Sequence, residues 1–350
     1  MAIASQTYQT PAGQVDLRVW GYTRNAILPG VMDHVFSKSP TSAIFLGQML
    51  GDFGATGMSG VGHTSQTGGH AVEIRVELGK HSGTKRKAGP FDTHNTAPDD
   101  NTRFAEANWK FYSGPLTISN HDRRVNQGDA AISSFVAHQT TQVMRSVADE
   151  MTGDIHSTAQ VTDACAPLNV LIGANESSIQ GLNAQTFGNY NSRGVSARGT
   201  AVGSISFASG SFAAQGISDM RTCFNGASEG TVQPNVILTD YATHERYEGS
   251  LQPQERFTGA VAVADGSFKA LAFRTVPVMA DPKTASGYMY MVRAGEGGVR
   301  MIALSGADFE FDDFKMAGEQ SVAVSELEAT MQLVIENRAH GSNKLTGITD

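Results

Sequence analysis

Residues 70–114 read HAVEIRVELGKHSGTKRKAGPFDTHNTAPDDNTRFAEANWKFYSG. The segment opens on strict alternation, with Val72, Ile74, Val76 and Leu78 on one side and Glu73, Arg75 and Glu77 on the other. Successive side chains point to opposite faces of a strand, so this period of two predicts a half-buried β-strand. A second strand-like run follows around Phe104, Trp109, Phe111 and Tyr112. The residues between them are rich in Lys, Gly, Thr, Asp and Asn and carry almost nothing to bury. Two strands of about fifteen residues, rising roughly 3.3 Å each, would project about 50 Å. An isolated hairpin of that kind does not stabilise itself in water. The expectation is a projecting hairpin that lies on a partner surface.

The wider composition narrows what that surface serves. The chain has 350 residues, 40% hydrophobic and 17% charged, which is ample for a packed core and too apolar for general disorder. Its 38 glycines point to many turns and strands. A net charge of −8 argues against a general nucleic-acid binder, whose phosphate contacts need a basic face. Lys80, Lys85, Arg86 and Lys87 run against that balance. Without interleaved aromatics they read as one half of a charge-complementary contact with another copy of the chain. Cys165 and Cys223 lie far apart with no CxxC spacing, which predicts two free thiols in a reducing cytoplasm. The N-terminal residues show no signal-peptide pattern, and no apolar run is long enough to span a membrane.

Along the chain, residues 1–60 mix short apolar runs with Gly, Pro and Ser punctuation. Val19, Trp20, Ile27 and Leu28, with Leu17 and Phe36, need a surface that this segment does not supply. The rest of the chain or a neighbouring subunit would serve. A helix is predicted over about 129–153, with Asp129 as N-cap and Gly153 just past its end. Ile132, Phe135, Val136, Val143, Met144, Val147 and Met151 recur at helical spacings. Its roughly 25 residues would make a spine of nearly 40 Å at about 1.5 Å per residue. From 166 to about 300 the runs PLNVLIG, NVILTD, FKALAFRTVPVMAD and SGYMYMVR read as strands. DYATHERYEGSL reads as a helix capped by Asp240, so this part suggests an α/β layer. Alternation then returns in DFEFDDFKM and in SVAVSELEATMQLVIENRAH.

The search for chemistry finds no catalytic constellation. GMSGVG has its glycines at the wrong offsets for a nucleophile elbow, and RAGEGGVR reads as a surface turn. His63, His70, His81 and His94 share no metal-ligand spacing. His244 and Glu248 sit one turn apart without a second His, as on a solvated helix face. Asp308, Glu310 and Asp312 fall on one face if DFEFDDF is a strand, yet a calcium loop needs a turn with ligands from several directions. Cys165 beside Asp163 has no neighbour to lower its pKa and reads as a small buried hydrophobe. No enzyme activity, cofactor or metal is expected.

An arm, a projecting hairpin, a spine helix, an α/β layer and late long strands, in that order, resemble the major capsid proteins of tailed bacteriophages, the HK97-like fold. GGHAVEIRVEL and WKFYSGPLTIS look like the entry and exit of that family's extended E-loop. GLNAQTFGNYNSR is similar to its segment after the spine helix. QPNVILTDYATHERYEGSLQPQERF (233–257) matches its strand ending in Thr-Asp, helix with Tyr, then Gln and Arg-Phe. GYMYMVR and ENRAHGSNKLTGI fit its last strands. The resemblance implies an α+β capsid fold: N-terminal arm 1–60, E-loop 61–117, peripheral (P) domain with spine helix 118–165, axial (A) domain 166–300, and returning P-domain strands 301–350.

The resemblance further implies a structural protein that self-assembles into the hexamers and pentamers of an icosahedral shell around double-stranded DNA. That protein would be made in the host bacterial cytoplasm and reside in the virion. Inter-subunit contacts are expected from Val72, Ile74, Val76, Lys80, Lys85, Arg86, Lys87, Trp109 and Tyr112 of the E-loop and from Val19, Trp20, Ile27 and Leu28 of the arm. Ile132, Phe135, Val136, Val143 and Val147 would form the spine-helix core. No long charged helical segment precedes the arm, which implies a separate scaffolding protein or assembly without one. A portal protein, decoration or cement proteins and non-specific proximity to packaged DNA complete the implied partners. An encapsulin-like compartment shell, another virion component and an enzyme of a different class remain alternatives.

Overall fold

The computed structural model describes residues 9–10, 13–14, 39–46, 61–93, 96–125, 135–172, 178–183, 186, 204–206, 212–251, 271–316 and 321–348. In chain order its strands begin with β1 (Gln9–Thr10), β2 (Gly13–Gln14), β3 (His63–Gln66), β4 (Ala71–Glu77), β5 (Thr102–Asn108) and β6 (Lys110–Ser119). They continue with β7 (Ser178–Ile179), β8 (Leu182–Asn183), β9 (Ser204–Ser206), β10 (Val236–Thr239), β11 (Leu271–Phe273) and β12 (Val276–Ala280). The last are β13 (Met289–Val292), β14 (Val299–Leu304), β15 (Glu310–Phe311), β16 (Lys315–Met316), β17 (Val322–Ile335) and β18 (Asn343–Thr346). The helices are α1 (Pro40–Phe45), α2 (Asn120–Val125), α3 (Phe135–Ile155), α4 (Leu168–Leu171), α5 (Phe212–Ala227) and α6 (Tyr241–Leu251).

The chain divides into two compact units. One comprises Met1–Ser37, Phe111–Glu150 and Gly306–Thr330; the other comprises Lys38–Lys110, Met151–Ser305 and Met331–Asp350.

In the first unit, β17 pairs with β6, β15 and β16. Alternation along β6 buries Gly114, Leu116 and Ile118 and exposes Phe111, Ser113, Pro115 and Thr117. Leu116 and Ile118 join Val143 of α3 and Phe311 in the unit's core. Gly114 is the point of closest approach: a Cβ there would stand 2.6 Å from Val143 Cγ1 and 3.1 Å from Val147 Cγ2. Only a residue without a side chain lets helix and strand meet at this distance.

In the second unit a mixed six-stranded sheet runs β11-β12-β10-β13-β18-β9. All four residues of β10 are buried, as expected for a strand paired on both sides. Ile237 faces Val278 in a parallel pairing and Met291 in an antiparallel one. Phe212, Met220, Cys223 and Phe224 of α5 and Tyr247 of α6 pack with Ile237, Met291 and Leu345 in one cluster. Each such side chain contributes about 1.5–3 kcal/mol by leaving water. In the same unit β14 pairs antiparallel with the end of β17 (Val299 opposite Ile335) and parallel with β3 (Met301 opposite His63).

The structure departs from the sequence-based expectations at several elements. The hairpin strands β4 and β5 have seven residues each and not about fifteen. The spine helix runs through Gly153 to Ile155, so Gly153 is not its stop, and Asp129 and Ile132 lie outside the described residues. PLNVLIG is not a strand. Pro167 (φ −74, ψ 151) sets up the one-turn helix α4, and Leu168 and Leu171, three apart, are its buried residues. DFEFDDF is not one alternating strand either: Phe309 takes φ 52 with its ring buried, and only Glu310–Phe311 is extended. The His244 face of α6 is not solvated, because Thr243, His244 and Tyr247 are all buried. FKALAFRTVPVMAD splits into β11 and β12 at Arg274 and Thr275, both at positive φ, as a two-residue hairpin turn requires. The 14-residue β17 and the strands NVILTD and SGYMYMVR are formed as read.

Candidate assembly surfaces

The β4–β5 hairpin is regular from Ala71 opposite Asn108 to Glu77 opposite Thr102. Leu78 N–H donates to Asn101 O at 2.8 Å and closes its far end. The described residues of the loop beyond it, 79–93 and 96–101, are held by carboxylates instead of by a core. Asp99 accepts from the Ser82 hydroxyl at 2.6 Å and from the Ser82 amide, with His81 Nδ1 at 3.5 Å. Asp92 accepts from Lys85 Nζ at 2.7 Å and from Ala88 N at 3.2 Å. Asn101 Nδ2 donates to Lys80 O at 3.1 Å. The Ser82 bonds lower the Asp99 pKa and the Lys85 bond lowers that of Asp92, so both stay charged. An acceptor with several lone pairs can bind more than one backbone donor, which orders a loop that has nothing apolar to pack.

This arrangement answers the puzzle of the polar excursion and sorts the residues expected at its surface. Val72 is 2% exposed and Trp109 9%; both pack with Ala107, Ile302 and Val334 in the chain's own core. The Trp109 indole N–H donates to Gly69 O at 3.0 Å. Neither is available to a neighbour. Ile74 and Val76 are half-buried, resting partly on Ala105 and Leu182. Tyr112 is half-buried beside α3 in the first unit. Lys80, Lys85, Arg86 and Lys87 are exposed, and Lys85 is paired to Asp92. The residue that sequence reading passed over is Phe91, at 96% exposure. A Gly-Pro-Phe-Asp turn inside a basic loop was the available signal, since a fully exposed aromatic at such a position has no folding role. Val143 and Val147 sit against Gly114 as spine-core residues. Phe135 and Val136 begin α3, but their side chains lie outside the described residues, as do Val19, Trp20, Ile27 and Leu28.

The second unit also contains a sealed polar cluster. Asp281 Oδ2 accepts from the Ser39 hydroxyl and from Thr41 N at 3.2 Å, and Asp281 Oδ1 accepts from Lys283 N at 2.9 Å. His156 lies between the hydroxyls of Thr41 (Nε2, 2.8 Å) and Thr284 (Nδ1, 3.2 Å). Burial would raise the Asp281 pKa. The His156 contact, followed by the Ser39 and Thr41 bonds, outweighs it and holds the carboxyl well below the usual range. No side chain of the cluster opens to solvent, so it fastens α1 and does not offer a site. Cys165 and Cys223 are buried free thiols, and burial, with Asp219 adding to it, pushes the Cys223 pKa strongly up. Among the described residues no group of three His, Cys, Asp or Glu could hold a metal, and no helix is long and apolar enough to cross a membrane.

No family model and no curated protein matches the sequence. Solved structures do match. The capsid asymmetric unit of cyanophage A-1(L) aligns at TM-score 0.60 and 12% identity over 93% of this chain and 97% of its own. The capsid of the Myoviridae phage XM1 aligns at 0.52 and 10% over 92% and 96%. The chain has the HK97-like capsid fold. The HK97-like fold is also matched by the SrpI encapsulin of Synechococcus elongatus PCC 7942, at 0.52 and 10% over 82% of this chain and 85% of that one.

Proposed function

We propose that this chain is the major capsid protein of a tailed bacteriophage, a structural protein without catalytic activity that assembles into hexamers and pentamers of an icosahedral shell. The observation that carries the reading is the end-to-end match to a phage capsid subunit, 93% of this chain against 97% of that one. On this reading residues 1–60 are the arm, 61–117 the E-loop, 118–165 the P domain with its spine helix, 166–300 the A domain and 301–350 the returning strands. The protein resides in the virion. A net charge of −8 suits a wall that encloses DNA without gripping it. A separate scaffolding protein, a portal protein and decoration proteins are its partners.

The second reading is an encapsulin-like compartment shell, favoured by the match to the SrpI encapsulin. Negative-stain electron microscopy of the chain expressed alone at high concentration separates these from other readings. Closed shells or rings of five and six subunits are expected, and a phage scaffold raising the yield of closed shells favours the capsid. Shells that instead retain a co-expressed host enzyme favour the compartment. A monomer at every concentration, with and without scaffold, overturns both.

A further inference from the structure

The β4–β5 ladder joins no larger sheet. Its apolar face has two supports, both within the second unit. Near the base, Val72, Ala107 and Trp109 pack with Ile302 and Val334, and Ile74 lies against them. Farther out, Ile74, Val76 and Leu78 pack on the cluster of Ala105, 1% exposed, and Leu182, 6% exposed. Ala105 belongs to the hairpin itself. Among the described residues, Leu182 is the one member of that outer cluster contributed from elsewhere in the chain.

Leu182 arrives on a short hairpin of its own. β7 and β8 pair through Ser178 opposite Asn183 and Ile179 opposite Leu182. Gln180 (φ 51) and Gly181 (φ 77) form the turn, with the positive φ at both positions that a two-residue hairpin loop needs. The turn presents Gln180 O to the edge of β5 that β4 leaves open, where Glu106 N–H donates to it at 2.8 Å. It therefore meets the β4–β5 hairpin twice, by a backbone bond at the edge and by Leu182 on the apolar face. A two-stranded hairpin does not hold itself in water, so each of the two orders the other.

We propose that the Ser178–Asn183 turn is a brace that positions the outer half of the β4–β5 hairpin. The base keeps its own support on Ile302 and Val334, so loss of the brace frees the outer half alone. The brace acts within a single chain, before any assembly, and does not depend on the shell-forming reading. Where chains assemble, a hairpin already held in one direction loses less conformational freedom on contact than a swinging one, and contact forms more readily.

The test is residue-resolved hydrogen exchange on the unassembled full chain, as wild type, Leu182→Ser and Gly181→Val. Leu182→Ser removes the apolar support. Gly181→Val puts a β-branched residue at φ 77, where it is strained, and disturbs the turn that presents Gln180 O. Both are expected to speed exchange about tenfold or more over 74–78 and 102–106, and to leave 71–72, 107–109 and the β10–β12–β13 ladders protected as in wild type. Unchanged protection of the outer half in either folded variant overturns the brace, as does loosening spread evenly over base and ladders. Thermal unfolding identifies a variant that has not folded, and the other then decides. The wild type supplies a reading of its own: the Glu106 amide should exchange as slowly as the ladder amides beside it, and fast exchange there overturns the contact. Assembly of the folded variants, followed by light scattering, is expected to slow about threefold or more, and an unchanged rate overturns the positioning role. A wild type that never assembles counts against the shell-forming reading alone, and the exchange result still judges the brace.

Discussion

His156 Nε2 stands 3.6 Å from Asp281 Oδ2, with the two side chains 1% and 0% exposed. The Asp281 carboxyl is held below its ordinary value of 3.8, so the folded state binds its proton less readily than the unfolded chain does. That contribution to stability is complete above pH 3.8 and is lost as the pH falls from there toward the depressed value. Asp281→Asn keeps the size and removes the charge. It is expected to cost about 1.5–3 kcal/mol at neutral pH, because the Ser39 hydroxyl and the Thr41 amide lose a charged acceptor. It should also flatten the acid limb of the stability curve, as read by urea unfolding at neutral pH and near pH 3.

Gly114→Ala places a methyl group 2.6 Å from Val143 Cγ1. The expected loss is about 1–3 kcal/mol, the range for overpacking a filled core. Val143→Ala in the same chain should recover part of it. A double-mutant cycle by denaturant melts reads that coupling directly, and strictly additive losses would mean that the two positions do not meet.

Trp109 and Phe91 lie on the same hairpin and loop, and their substitutions should separate stability from assembly. Trp109→Ala empties a core position and leaves Gly69 O without the indole donor, a loss of about 3–5 kcal/mol in thermal or denaturant unfolding. Phe91→Ser, at a side chain 96% exposed, should leave the unfolding midpoint unchanged and lower the yield of assembled particles.

Cys165 and Cys223 should be silent to a thiol reagent in the native protein and should react at two per chain in denaturant. Burial disfavours the thiolate, which is the reactive form. Labelling under native conditions would show local opening of α5, which carries Cys223.

The elements legible in the sequence were those in which one period dominated. β4 showed its period of two because Val72, Ile74 and Val76 share one face, and β17 showed the same alternation through Ser325–Leu327–Ala329. The paired ladder of the hairpin came out shorter than expected because Asp92 and Asp99 hold the loop beyond it through the Ala88 and Ser82 amides, and such side-chain-to-backbone bonds leave no periodic trace. PLNVLIG misled because a short apolar run has the same composition in a buried strand and in a single helical turn. His244 misled because its burial depends on what packs against α6, a tertiary fact that local spacing does not show. Of the contact residues, the basic group was legible from its contrast with an acidic chain. Val72 and Trp109 were placed at an interface because apolar alternation does not say whose core the side chains enter.

The position of β18 has a kinetic consequence. This strand lies between β13 and β9, with Lys344 opposite Ser204 and opposite Tyr290. Until residues 343–346 arrive, β13 and β9 have no partner on those edges, and the pairing with β9 joins segments some 140 residues apart. Closing so long a loop precedes any gain from the contact, so the six-stranded sheet completes slowly and its edges stay open meanwhile. Open strand edges recruit other strands. The supply of folded chains then depends on this one late insertion.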